Sequence, residues 1–177
     1  VTGGAGYIGS HLCVELLATN YNILVIDNLQ NSSLQRINSI NKISKKKVNF
    51  IKCDLKDLSK LENVFKKNRV ETVIHLAGLK SVEESYNNPI KYYENNIKGS
   101  INLFKIMSVY NVKKIIFSSS ATVYCSSVRS PIKENSLLNP TTIYGKTKLI
   151  IENILKDLYI TDNKWSILNL RYFNPIG

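Results

Sequence analysis

Val1-Thr2-Gly3-Gly4-Ala5-Gly6-Tyr7-Ile8-Gly9-Ser10 is the stretch that decides the fold of this chain. Gly3, Gly6 and Gly9 recur at three-residue intervals, immediately before the apolar helical pattern Ile8, Leu12, Leu16 and Leu17. In such a turn one glycine permits the sharp bend, the next lets backbone approach a pyrophosphate, and the third lets the helix pack close to its strand. The helix that follows presents its leading amides and positive dipole end to the phosphates. A glycine pattern alone is a weak signal. Here the next apolar run, Asn22-Ile23-Leu24-Val25-Ile26-Asp27, ends in a carboxylate, where a dinucleotide fold needs an acceptor for ribose hydroxyls. Asp27 would also repel a 2′-phosphate, and Asn28-Leu29-Gln30-Asn31 after it contain no Arg to offset that repulsion. NAD is therefore expected over NADP.

Outward from this turn, strand and helix patterns alternate without repeats, low-complexity tracts or an evident linker. Strands are expected at a stub of Val1-Thr2 and at 22–27, 48–53, 72–76, 114–119 and 166–170. Helices are expected near 7–19, 33–43, 58–67, 90–110 and 142–159. Leu34, Ile37, Ile40 and Ile43 recur at helical spacing, so the second helix should carry one buried stripe. Right-handed crossovers then give an α/β fold: a doubly wound, Rossmann-like parallel sheet, with residues 1–177 as one NAD-binding domain and ligands at the C-terminal edge of its strands.

The chemically suggestive residues collect at that edge. Asp54 and the Leu55 backbone follow the strand at 48–53 and belong beside an adenine pocket. Leu76-Ala77-Gly78 follow the next strand, and their small side chains would let backbone approach the cofactor. His75, just before them, reads as a structural partner, because a base is available elsewhere. Asn95 could brace the catalytic segment through backbone bonds, or could be a solvated helix-surface amide.

That base is Tyr144, in Tyr144-Gly145-Lys146-Thr147-Lys148. A free tyrosine ionises near pH ~10, so a phenolic base working near neutrality needs a fixed positive charge close by. Lys148, at i+4, lies on the same helix face and can supply it. The segment Phe117-Ser118-Ser119-Ser120-Ala121-Thr122-Val123-Tyr124 follows the apolar run Lys114-Ile115-Ile116-Phe117, which delivers its hydroxyls to the strand's C-terminal edge. A Tyr and a Lys merely sharing a helix face are common; the glycine turn and Asp27 are what give this pair weight.

Composition excludes several alternatives. The 177 residues, 44% of them hydrophobic, suffice for one core. No apolar run approaches ~18 residues, and the start resembles neither a signal peptide nor a transit sequence, so no membrane partner is expected. Cys13, Cys53 and Cys125 form no close pair and no metal-ligand spacing, which favours a reduced, cytoplasmic setting and no metal. The net charge of +11 invites a nucleic-acid reading, yet apart from Lys45-Lys46-Lys47 the lysines are scattered and no aromatic stacking motif accompanies them. No nucleic-acid partner is expected; the charge is solvated surface with a modest attraction for an anionic nucleotide.

Assembled, these residues resemble the extended short-chain dehydrogenase/reductase family, and within it the UDP-sugar 4-epimerases. The resemblance runs from Val1 to Gly177 through separated motifs: Thr2 to His11, Asp27-Asn28-Leu29, His75 to Lys80, Ser118 to Tyr124, Tyr144 to Lys148, and Leu170-Arg171-Tyr172-Phe173-Asn174-Pro175. It implies that Gly3, Gly6, Tyr7, Ile8 and Gly9 form the NAD pyrophosphate turn. Asp27, Asn28, Asp54, Leu55, Leu76, Ala77, Gly78, Lys80, Asn95 and Ser118 would also touch cofactor, with Tyr144 and Lys148 at its ribose and Phe173 near the nicotinamide. On the substrate side it implies that Ser120 and Tyr144 bracket the sugar C4 hydroxyl, that Asn174 reaches the nucleotide-sugar diphosphate, and that Lys80 contributes. The catalytic set is then Ser120, Tyr144 and Lys148, acting on a UDP-sugar to interconvert UDP-glucose and UDP-galactose through a 4-keto sugar. A homodimer is implied for the full-length protein.

Two positions depart from the family pattern. Cys125 stands where Gly is usual, and a positive φ there would cost a residue with a Cβ ~1–2 kcal/mol. Glu83 likewise stands where Gly is common. The chain also resembles a fragment of a protein about twice as long. Its truncated first strand is expected to leave neighbouring strands unpaired, and its missing half would choose the sugar. Other readings are a 4-epimerase for uronic or N-acetylated sugars, a 4,6-dehydratase, a non-catalytic NAD-binding module and a nucleic-acid binder. The dehydratase needs an acid pair after the strand-end hydroxyl, which Ala121-Thr122 does not supply.

Overall fold

A computed structural model describes residues 1–176; Gly177, the last residue of the expected 1–177 domain, lies outside the described residues. Helix α1 (Tyr7–Ala18) follows the glycine turn, and strand β1 (Leu24–Asp27) follows α1. Then come α2 (Leu34–Ser44), β2 (Asn49–Lys52), α3 (Leu58–Lys67), β3 (Val73–His75), α4 (Val82–Asn87) and α5 (Pro89–Tyr92). A π-helical segment, Tyr93–Lys98, runs on into α6 (Gly99–Val109). The chain closes with β4 (Lys114–Ser120), a 3₁₀ turn (Ala121–Val123), α7 (Ile143–Thr161) and β5 (Ser166–Tyr172).

All strand pairs are parallel, β1 with β2, β3 with β4 and β4 with β5. Thr2 joins the two groups by bridging Ile26 on one side and His75 on the other. The short first strand, expected to leave its neighbours unpaired, serves both of them over Val1–Gly3. The Thr2 amide donates to Ile74 and its carbonyl accepts from Leu76, while Gly3 donates to Ile26 and Ile26 to Val1. The spatial order is therefore β2, β1, the Thr2 stub, β3, β4, β5, and the order reverses at the stub. Ligands of open parallel sheets bind at that reversal.

Both faces of the sheet are covered. Successive strand residues point to opposite sides, and in β1 Val25 packs with Cys13, Leu17, Ile37 and Ile40 of α1 and α2. Its neighbour Ile26 packs with Leu61, Leu103, Phe104 and Ile151 of α3, α6 and α7. The α2 stripe is shorter than expected: Ile37 and Ile40 are buried, but Leu34 is 54% and Ile43 66% exposed. At roughly 100° per residue, three-residue steps drift by about 60° each, so the first and last members of the series end on opposite sides of the helix. Helix α4 was not anticipated. Its signal is present in Ser81-Val82-Glu83-Glu84, since the Ser81 hydroxyl caps the helix by accepting from the Glu84 amide at 3.2 Å.

Candidate active site

A cleft of about 660 Å³ opens along the C-terminal edge of the strands, within the size range of small-molecule sites. Every site residue expected from sequence lies on its wall: Gly3, Gly6, Tyr7, Ile8, Gly9, Asp27, Asn28, Asp54, Leu55, Leu76, Ala77, Gly78, Lys80, Asn95, Ser118, Ser120, Tyr144, Lys148, Phe173 and Asn174.

One end is built by the glycine turn. Gly6 precedes α1 and offers no side-chain cap to its first turn. A Cβ on Gly9 would sit 2.3 Å from the Gly3 carbonyl oxygen and 2.7 Å from the Gly4 Cα, so only glycine lets α1 close on the turn. Beside the turn, Asp27 Oδ2 accepts from the Ala5 amide at 3.1 Å. Its Oδ1 accepts from the Leu29 amide and the Ser32 hydroxyl, both at 2.9 Å. Leu29 reaches back by adopting a left-handed backbone, φ 61°, which is rare for a bulky side chain. A carboxylate offers about four lone-pair sites, so Asp27 retains capacity for a further donor. Asn28 Nδ2 donates to Asp54 Oδ2 at 3.0 Å and ties the ends of β1 and β2 together. Burial opposes the Asp54 charge, but the Lys56 amide, the Asn28 amide and the Lys56 ammonium hold its carboxyl below the ordinary range.

The structure adds Gln30, Asn31, Ser32 and Arg36 to this rim. Arg36 Nη1 donates to the Ala5 carbonyl at 3.5 Å. The four residues after Asp27 lack an Arg, but the first turn of α2 brings one to the same place. A fold this compact makes sequence distance a poor guide to rim composition. Taken together, a cradle that a Cβ would fill, an uncapped helix start and a strand-end carboxylate with spare acceptor capacity fit an adenine dinucleotide.

The other end holds the Tyr–Lys pair. Thr142 caps α7 by accepting from the Gly145 amide at 2.9 Å. A Cβ on Gly145 would come within 2.5 Å of the Thr122 carbonyl oxygen, so glycine is what lets α7 press Tyr144 against the serine turn. Lys148 is buried at 4% exposure, and its Nζ donates to the Ser118 carbonyl at 2.8 Å, 4.8 Å from the Phe117 ring centroid and 5.8 Å from that of Tyr144. Burial pulls the Lys148 ammonium down to about 8. Burial pushes the Tyr144 phenol up from its ordinary value, and the Ser120 hydroxyl pulls it partly back. The ammonium bonds the Ser118 carbonyl and faces the Tyr144 ring from 5.8 Å, so the Ser120 hydroxyl is the direct partner of the phenol and the Lys148 charge acts on it from further away.

Ser120 Oγ accepts from the Thr122 amide at 3.2 Å and the Thr122 hydroxyl at 3.0 Å, which fixes its position. Asn95 lines the cleft, but the brace is its neighbour Asn96. Asn96 Oδ1 accepts from the Leu79 amide at 2.8 Å, and its Nδ2 donates to the Leu79 carbonyl and the Thr147 hydroxyl, each at 3.1 Å. Thr147 in turn donates to the Tyr144 carbonyl at 2.7 Å.

His75 lies behind the cleft. Ser100 donates its proton to the Asn96 carbonyl at 2.6 Å, so His75 Nε2 is the donor to Ser100 at 2.9 Å and Nδ1 accepts from Thr2 at 2.7 Å. Burial first, then the nearby Lys148 charge, pull its pKa to about 3, and the neutral ring serves as a structural link. Both departures are benign. Cys125 is absent from the positive-φ residues and its amide donates to the Leu137 carbonyl at 2.9 Å. Glu83 is exposed in the first turn of α4, where the helix dipole favours an acid. Among the described residues no group of three or more His, Cys, Asp or Glu is placed to hold a metal ion, and no helix is long and apolar enough to cross a membrane.

A buried lysine and a phenol facing a strand-end serine lie across the cleft from the glycine turn of a Rossmann-like fold. The chain belongs to the extended short-chain dehydrogenase/reductases, and matches the family described as GDP-mannose 4,6 dehydratase over residues 1–177. More particularly, it is similar to the UDP-glucose 4-epimerase of Bacillus subtilis (strain 168), 54% identical over 177 residues, covering 100% of this chain and 52% of that protein. Its structure is similar to that of UDP-glucose 4-epimerase from Bifidobacterium longum in complex with NAD+ and UDP, with a TM-score of 0.97 and 45% identity over 99% of this chain and 53% of that one. The UDP-Glc/GlcNAc 4-epimerase of Campylobacter jejuni superposes with a TM-score of 0.93 at 35% identity, over 98% of this chain and 52% of that one. The chain spans about half the length of the curated relatives it matches.

Proposed function

We propose that residues 1–177 form the NAD-binding domain of a UDP-sugar 4-epimerase that interconverts UDP-glucose and UDP-galactose. The observation that carries this reading is the distribution of charge along the cleft. Its wall holds the carboxylates Asp27 and Asp54, both at the β1–β2 end, while among the described residues no carboxylate lines the end where Ser120, Tyr144 and Lys148 meet. A 4,6-dehydratase would need acid and base groups next to Ser120, so epimerisation, which needs a single reversible proton carrier at C4, fits these residues better.

Gly3, Gly6, Tyr7, Ile8, Gly9, Asp27, Asn28, Asp54 and Leu55 would hold the adenosine diphosphate part of NAD. Leu76, Ala77, Gly78, Lys80, Asn95, Ser118, Tyr144, Lys148 and Phe173 would hold the nicotinamide riboside. When bound, NAD supplies reversible hydride transfer at the sugar C4. Tyr144 Oη, as the phenolate, takes the C4 hydroxyl proton and later returns it; burial opposes that phenolate, and the Ser120 hydroxyl and the Lys148 charge favour it. Ser120 Oγ donates to the reacting oxygen and orients it. Lys148 offsets the charge of the phenolate and anchors the ribose. Asn174, with Lys80, reaches the UDP-sugar diphosphate.

The three free cysteines suit a cytoplasmic, reduced setting. Exposed Ile90 and Val109, at either end of the 89–109 helical stretch, offer apolar surface for a homodimer. With the whole protein, UDP-galactose should yield UDP-glucose without net consumption of NAD; absence of conversion would remove the assignment. The same protein should bind NAD much more tightly than NADP, because the Asp27 carboxylate would repel a 2′-phosphate. Asp27→Ala should narrow the gap, since the exposed Arg36 guanidinium then dominates that rim. Isothermal titration with each dinucleotide reads this directly, and equal affinities in the unmodified protein would contradict it.

A further inference from the structure

Behind the Tyr–Lys pair lies a charged cluster that the proposed chemistry does not use. Glu152, on α7 four residues beyond Lys148, is 5% exposed. Its Oε1 accepts from the Ser119 hydroxyl and from Arg171 Nε at 3.1 Å, and its Oε2 accepts from Arg171 Nη2 at 2.8 Å. Arg171 Nη1 donates to the Tyr124 hydroxyl at 3.0 Å and to the Glu134 carbonyl at 2.9 Å, with the guanidinium 5.0 Å from the Tyr124 ring centroid. Ser119 and Arg171 are register partners across β4 and β5. One ion pair therefore fastens α7, the last rungs of two strands, and the loop whose ends meet at the Tyr124–Leu138 bridge.

Its position relates it to the site on both sides. On β4 it grips the residue between Ser118, whose carbonyl takes the Lys148 bond, and Ser120, whose hydroxyl faces Tyr144. On β5 it grips the residue just before Tyr172, Phe173 and Asn174, which line the cleft. The pair is largely buried, with Glu152 6% and Arg171 20% exposed at the side chain, and such a pair is weak evidence for stability, because apolar or neutral replacement of both partners is often tolerated while removal of one partner is not. Its bidentate geometry, by contrast, fixes orientation.

We propose that Glu152 and Arg171 are positioning residues that hold the sugar end of the cleft in register, setting Ser120, Tyr144 and Phe173-Asn174 at fixed separations. The inference rests on the epimerase reading above. In the whole protein, Glu152→Gln or Arg171→Met alone should lower both Tm and kcat. The double variant, with no buried charge left uncompensated, should recover most of the Tm but keep a kcat reduced by ~10–100-fold, the size of effect expected from sub-ångström to ångström misplacement of reacting groups. Arg171→Lys, which keeps the charge but loses the fork, should show the same kcat loss when assayed well below its Tm. NAD affinity, set at the Asp27 end, should be unchanged in every variant that folds. A kcat that recovers together with Tm in the double variant, or a normal kcat in Arg171→Lys, would overturn the proposal. Failure of the unmodified protein to bind NAD or turn over UDP-galactose would instead strike the epimerase reading.

Discussion

Tyr144→Phe is expected to lower turnover of UDP-galactose by ~10²–10⁴-fold, the range for loss of a positioned general acid–base, while NAD binding stays largely intact. The variant keeps the ring that packs beneath the Lys148 ammonium and loses the hydroxyl that faces Ser120. Nothing in the backbone depends on that hydroxyl: Tyr144 is held through its carbonyl, which accepts from Thr147, and its amide, which donates to Ser85 at 3.3 Å. The proton carrier is thus removed without disturbing its frame, and the loss should fall on kcat. Near-normal turnover by the Phe variant would mean that another residue moves the C4 proton.

Lys148→Met should lower turnover and also change how stability depends on pH. The folded protein holds the Lys148 proton only up to about pH 8, whereas the ordinary value for the exposed side chain is 10.5. Between these values the unfolded chain binds more protons, so this residue makes stability rise as pH increases through that window. Below about 8 the full cost of burying the cation is present. The Met variant should lose that slope, and below pH 8 should be no less stable than the parent. Activity should respond in the opposite sense: with the cation gone the phenolate is less favoured, and the rising limb of the pH–rate profile should move to higher pH. Thermal melts and initial rates across pH 6–10 test both halves, and an unmoved limb would mean that Lys148 does not act on Tyr144.

The features readable from sequence were those that local spacing determines. The glycine turn must precede a helix, Asp27 must end a strand, and Thr142 with Gly145 must start α7 for Tyr144 and Lys148 to share a face; all of this is written within ten residues or fewer. What escaped depends on geometry that changes the counting or on partners distant in sequence. The brace proved to be Asn96 and not its neighbour Asn95, through bonds to Leu79 and Thr147 far away in sequence. Drift of a three-residue repeat exposed Leu34 and Ile43. Arg36 reached the cofactor rim from a different element, and Glu152 found Ser119 and Arg171 only because β4 and β5 pair in one register. Even the Tyr–Lys pair shows the limit, since spacing placed Lys148 near Tyr144 but did not reveal that its first bond goes to Ser118.

In the proposed reaction hydrogen leaves C4 of the sugar and returns to the same carbon on its other face, with Tyr144 handling only the hydroxyl proton. Incubating the whole protein in ordinary water with UDP-galactose carrying deuterium at C4, and following the sugar by NMR and mass spectrometry, tests this directly. The expected product is UDP-glucose that retains the deuterium at C4 once the two UDP-sugars have reached equilibrium. Replacement of the label by solvent hydrogen would contradict it.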